Sequence, residues 1–201
     1  EHRTTRLVRR ELEALCLEPV PLGLPTGTAA LLRGALPGPT VGLRADLDAL
    51  PITERTGAEF SSRVPGVMHA CGHDVHMAAL LGAARLLAAR REQLAGNVLF
   101  LFQPAEEAAT GAMQVLEQGL FRRVPMAGML ALHDWPGLAP GQLGIRSGAI
   151  LSAVDSFEIT VTGRGGHGSA PERACNPIPA GAALASALTT LRANDLPQAE
   201  P

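Results

Sequence analysis

Cysteine, histidine and paired glutamates recur in this sequence where a backbone can bring them close to a ligand. In MHACGHDVH, Cys71 is followed by His73 and His76 and preceded by His69. A soft thiolate beside imidazoles is a donor mixture for zinc, cobalt, nickel or manganese rather than magnesium or calcium. Alone, the segment could equally hold a structural zinc or open a helix over a buried cysteine. FQPAEE supplies Glu106 and Glu107 after an apolar run. One carboxylate could ligate a metal while its neighbour takes a proton from an acidified water, or both could form the acidic start of a helix. ALHDWP adds His133 at the end of another apolar run, as a ligand or as a satisfied core histidine. His167 lies among glycines in GRGGHGSAP, where a backbone can approach a ligand closely. Taken together, Cys71, His73, Glu106, Glu107 and His133 argue for one crevice rather than coincidence.

Such a crevice requires elements that deliver these residues to one place. Leu7, Glu11, Ala14 and Leu15 fall on one side of a helical wheel and predict a first amphipathic helix that stops before the Pro19 to Pro25 segment. TAALLRG and VGLRADL read as strands separated by the turn-forming LPGPT, the second ending in Asp46 and Asp48. From His73 to about Arg90 the Ala- and Leu-rich text predicts a helix. NVLFLFQ is a buried strand, GAMQVLEQG a helix closed by Gly119, and GMLALHD another buried strand. Alternating strands and helices predict an α/β fold, a mostly parallel sheet with helices on both faces. Ligands of such sheets sit beyond the carboxyl ends of the strands, where the acids and His133 fall. Past Ser152 the pattern changes to a half-exposed strand SFEITVTG, the glycine loop and an Ala-rich helix from Ala180 to Arg192. The expected division is a catalytic portion over 1–151 and part of a small α+β lid or dimerisation domain over 152–201.

The 201 residues carry 17 basic and 19 acidic side chains, a net charge of -2, so no positive field draws them to nucleic acid or anionic lipid. The opening EHRTTRLVRREL lacks the apolar stretch of a secretory signal, and no run reaches the about 18 apolar residues of a membrane span, so the expected location is the cytoplasm. Three cysteines are too few and too uneven for a disulfide framework.

RADLDALP, MHACGHD, HMAALLGAARLL, FQPAEE, ALHDWP and GRGGHGSAP, in this order from about Thr4 to Arg192, resemble the M20 metallopeptidase superfamily in its aminoacylase, hippurate hydrolase and auxin-conjugate hydrolase branch. The resemblance implies a zinc-peptidase-like catalytic domain and two divalent ions, zinc, manganese, cobalt or nickel. It implies that Cys71 bridges them, that His73 and Glu107 complete one, and that His133 belongs to the other. Glu106 would be the general base, and His167 would reach a neighbouring subunit's site in a homodimer formed through the small domain. Asp46, Asp48 and Asp74 have positions expected of groups that orient the ligands, although each could be a plain turn or cap residue. His69 and His76 are read as supporting or packing residues.

The implied reaction is hydrolysis of the amide of an N-acyl amino acid, with a dipeptidase or an N-acetyl-diaminopimelate deacetylase as the alternative within the superfamily. The family supplies a further histidine ligand after its small domain, and this text ends before it. The expectation is therefore a truncated chain of about half an enzyme, and a non-catalytic folded or binding module is the rival reading.

Overall fold

Helix α1 (His2–Ala14) turns Thr5, Val8 and Leu12 inward, three positions at helical spacing. The wheel predicted from Leu7 is thereby rotated, since Leu7 is 49% exposed. Val8 and Leu12, four residues apart, make a better apolar pair than Leu7 and Glu11. A three-residue strand, β1 (Glu18–Val20), follows where the helix was expected to have stopped. Strands β2 (Thr28–Arg33) and β3 (Leu36–Asp46) come next, and β3 runs through the expected LPGPT turn with its register broken between Leu36 and Thr40. Helix α2 (His73–Ala88), strand β4 (Ala95–Gln103), helices α3 (Gly111–Glu117) and α4 (Leu120–Arg123) and strand β5 (Gly128–Ala131) complete the alternation.

The sheet order is β1-β2-β4-β3-β5. β4 pairs in parallel with β3, and β3 in parallel with β5, while β2 joins β4 and β1 joins β2 in antiparallel fashion. β4 is buried because its side chains feed two cores. Val98, Phe100 and Phe102 pack with Val8, Leu12, Met77, Leu80 and Ala84 of α1 and α2. Leu99 and Leu101 face the opposite way, against Val115 of α3 and Leu120 of α4. The period of two along β4 thus places a helical layer on each face. Full burial of each such large apolar side chain contributes about 1.5–3 kcal/mol, which makes β4 the rigid base of whatever leaves its end.

β5 differs from its expected burial. Gly128, Leu130 and Ala131 are exposed, because this strand forms the sheet edge and pairs only with β3 among the described residues.

The computed structural model describes residues 1–148, 150 and 156–195, in two units, Glu1–Gln142 and Leu143–Pro201. The expected boundary at 151/152 lies outside the described residues. In the second unit the predicted strand SFEITVTG is not a ladder strand. Only Arg164 forms a bridge, with Cys175, because among the described residues of that unit no second strand is present to pair with it. Helix α5 (Ile178–Asp195) covers the predicted Ala-rich helix. No helix among the described residues is long and apolar enough to cross a membrane.

Candidate metal centre

Parallel pairing sets Asp46 opposite Gln103 and Arg44 opposite Ala131, so the ends of β3, β4 and β5 lie side by side. The turns that follow carry Asp48, Glu106 with Glu107, and His133 with Asp134. Helix α2 starts at the same place. Its cap, Gly72, has φ 75°, and a Cβ there would collide with the Asp134 carboxylate, so glycine permits the close approach of the α2 start to the β5 exit.

His73 is buried, 1% exposed. Its Nδ1 lies 3.0 Å from the Asp48 carbonyl oxygen and 3.1 Å from Asp48 Oδ1. A carbonyl can only accept, so Nδ1 carries the proton and Nε2 presents a lone pair. That buried Nε2 has no hydrogen-bond partner among the described residues. It faces Glu107 Oε1 at 3.7 Å, Asp46 Oδ2 at 3.7 Å and Glu106 Oε2 at 3.9 Å. A lone pair ringed by carboxylates is costly without a donor or a cation, and a divalent ion would satisfy all of them.

The second set meets at Cys71, whose Sγ is 3.5 Å from His133 Nε2. His133 donates from Nδ1 to the Asp134 carbonyl at 2.7 Å, which turns the Nε2 lone pair toward the sulfur. Bond lengths of about 2.3 Å to sulfur and about 2.0–2.1 Å to nitrogen, at a tetrahedral angle, put S and N about 3.5 Å apart. The observed separation fits two ligands on one ion as well as a thiol–imidazole hydrogen bond. Cys71 with His73 and His133, and His73 with Glu106 and Glu107, each have ligand atoms within 4.8 Å of one another. The two groups meet at His73, and their donor types fit divalent ions.

The local field follows from these acids. Burial, then the Glu107 hydrogen bond and the charges of Glu107, Glu106 and Asp46, push the Cys71 thiol up to about 11. Burial also pushes Asp46 up, but the His76 hydrogen bond and the Arg44 guanidinium, with lesser contributions from the His73 and His76 rings, outweigh it and hold the carboxyl below its ordinary range. Arg44 Nη1 donates to Asp46 Oδ2 at 2.8 Å and Arg44 Nε to Gln103 Oε1 at 3.0 Å.

Of the candidate residues, Cys71, His73, Glu106, Glu107, His133, Asp46 and Asp48 come together. Asp74 does not reach the imidazoles. It stands exposed in the first turn of α2, where a carboxylate suits the helix dipole. His167 belongs to the second unit, where its Nδ1 is 2.8 Å from Ser169 Oγ and accepts the Ser169 N–H at 3.3 Å. The sequence reading gave no site role to Asp134 and only a supporting one to His76, yet His76 Nε2 is 2.9 Å from Asp134 Oδ1 and its Nδ1 is 2.6 Å from Asp46 Oδ1. The available signal was spacing: His76 lies one helical turn after His73, and Asp134 adjoins His133.

Comparison with known proteins finds relatives that match most of the chain. N-acetylcysteine deacetylase of Bacillus subtilis is 43% identical over 192 residues, covering 95% of this chain and 50% of that protein. IAA-amino acid hydrolase ILR1-like 5 of Arabidopsis thaliana is 41% identical over 181 residues, covering 89% of this chain and 40% of the plant protein. Among solved structures, a dinuclear metal-binding peptidase of the M20 family from Bacillus subtilis superposes with a TM-score of 0.71 at 45% identity, covering 74% of this chain and 41% of that one. The chain spans about half the length of the curated relatives it matches. Residues 42–199, from the middle of β3 through both ligand sets to the second unit, match the model of peptidase family M20/M25/M40, and the chain belongs to that family.

Proposed function

We propose that this chain carries catalytic machinery of a metal-dependent amidohydrolase that cleaves the amide bond of N-acyl amino acids. The observation that carries the reading is the buried, unpartnered Nε2 of His73, aimed at Glu106 and Glu107. Its support from relatives is that N-acetylcysteine deacetylase, IAA-amino acid hydrolase and N-acyl-L-amino acid amidohydrolase are named for acting on acylated amino acids, beside relatives named as thermostable carboxypeptidases.

In this reading Cys71, His73, Glu107 and His133 hold two divalent ions, zinc, manganese, cobalt or nickel. Ions held there acidify a water and polarise the substrate carbonyl. Glu106 does the proton work. Its side chain is 40% exposed, more than the 26% of Glu107, so it can reach both the attacking water and the leaving amine. It takes a proton from the first and returns it to the second. His167, with Nδ1 engaged by Ser169, presents Nε2–H as a donor to an oxyanion or a substrate carboxylate of a neighbouring subunit in a homodimer.

The test offers the metal-loaded chain N-acetyl amino acids and hippurate beside dipeptides and N-acetyl-diaminopimelate. Release of free amino acid from the general acylated substrates supports the reading. Cleavage confined to dipeptides or to the diaminopimelate derivative moves the assignment to those activities, and bound metal without any hydrolysis leaves a binding module.

A further inference from the structure

His133 is placed by a weak element. It follows the four-residue edge strand β5, and Leu132, His133 and Trp135 are all exposed. Apolar burial therefore does not fix the direction of its ring. Polar contacts from the buried side of α2 do. His76 is 1% exposed, and its Nδ1 is anchored 2.6 Å from Asp46 Oδ1, itself held by Arg44. On the other side of the ring, Nε2 accepts the Asp134 N–H at 3.0 Å and lies 2.9 Å from Asp134 Oδ1. Asp134 in turn receives His133 Nδ1–H on its carbonyl. The His76 and His133 rings meet edge to face, with centroids 4.5 Å apart.

We propose that His76 is the positioning residue for His133: anchored on Asp46 through Nδ1, it holds the Asp134 backbone N–H on Nε2, and so keeps His133 Nε2 against the Cys71 sulfur. The inference rests on reading Cys71 and His133 as ligands of one ion. Both nitrogens of His76 are engaged, Nδ1 by Asp46 and Nε2 by Asp134, which gives it a positioning role rather than a ligand's.

The test titrates Co2+ into the chain and into His76→Phe, Asp134→Ala and Asp134→Asn variants, following the thiolate-to-cobalt absorption. In His76→Phe the ion held by Cys71 and His133 should weaken by about ten- to hundredfold, with the ion of His73 and Glu107 little changed. Asp134→Ala and Asp134→Asn, which both keep the backbone N–H that Nε2 accepts, should lose less than His76→Phe. Wild-type binding at both ions in a folded His76→Phe overturns the proposal. If His76→Phe does not fold, the exchange of the wild-type Asp134 amide decides. Amide hydrogen exchange of Asp134 in metal-free protein supplies a readout independent of the ions. Slow exchange in the wild type that becomes fast in His76→Phe supports the contact even if no cobalt binds, a result that would remove the metal reading alone. A fast-exchanging wild-type amide overturns the proposal whatever the metal content.

Discussion

The Asp48 carboxylate accepts the backbone N–H of Glu107 at 2.9 Å, and its other oxygen lies 3.1 Å from His73 Nδ1. One side chain from the turn after β3 thus orients a ligand on α2 and the loop that brings a ligand from β4. Replacing Asp48 with Ala should free both at once. Zinc affinity, measured by competition with a chromophoric chelator, is expected to fall about 10–100-fold, with Asp48→Asn losing less because its amide oxygen can still accept one of the two bonds.

Much of this centre was legible because its parts are local. The apolar run of β4, the Ala- and Leu-rich text of α2 and the acids after each strand announce themselves within a few residues, and parallel pairing does the rest. What escaped depends on partners distant in sequence. The inward face of α1 was assigned to Leu7, whereas packing against β2 and α2 selects Val8 and Leu12. β1 is three residues long, with Pro19 inside it and Pro21 after it, too short for a periodic signal. β5 reads as buried, but only sheet order makes it an edge. The contact of His76 with Asp134 spans 58 positions, and it arises from the entry angle that Gly72 gives α2.

The Cys71 thiol, raised to about 11, sets how metal binding should vary with pH. A thiolate is the ligand, so each binding event below that value must expel a proton. Apparent zinc affinity should therefore rise about tenfold per pH unit through the neutral range from this residue, and calorimetry in buffers of different ionisation enthalpy should count the proton released. Without metal the stability sign is reversed. The folded environment favours the protonated thiol, so its contribution is complete below the ordinary 9.0 and is lost as pH rises through about 11. Cys71→Ser should flatten both trends.

Glu106 and Glu107 are adjacent but should fail differently. Glu107 shares the buried face of His73 Nε2, so Glu107→Gln is expected to lower metal content. Glu106→Gln should retain the metal and lose hydrolysis by about 10²–10⁴-fold, because an amide cannot carry the proton. Metal analysis beside turnover of an N-acetyl amino acid separates the two, and equal metal loss in both variants would contradict the assignment of Glu106 as base.

Acid should dismantle the polar string through Asp46. Arg44 and His76 hold this carboxyl below its ordinary range, so the folded state binds its proton less readily than the unfolded chain does. The stability it contributes is complete above the ordinary value of 3.8 and drains away as pH falls through the lowered one. Urea unfolding of the metal-free chain at successive pH values should show this loss. Asp46→Asn should start less stable at neutral pH, since Arg44 and His76 lose a charged acceptor, and should fall less steeply on acidification. Parallel acid profiles for the two proteins would mean that Asp46 does not contribute to the acid response and that the electrostatic role given to its two partners is wrong.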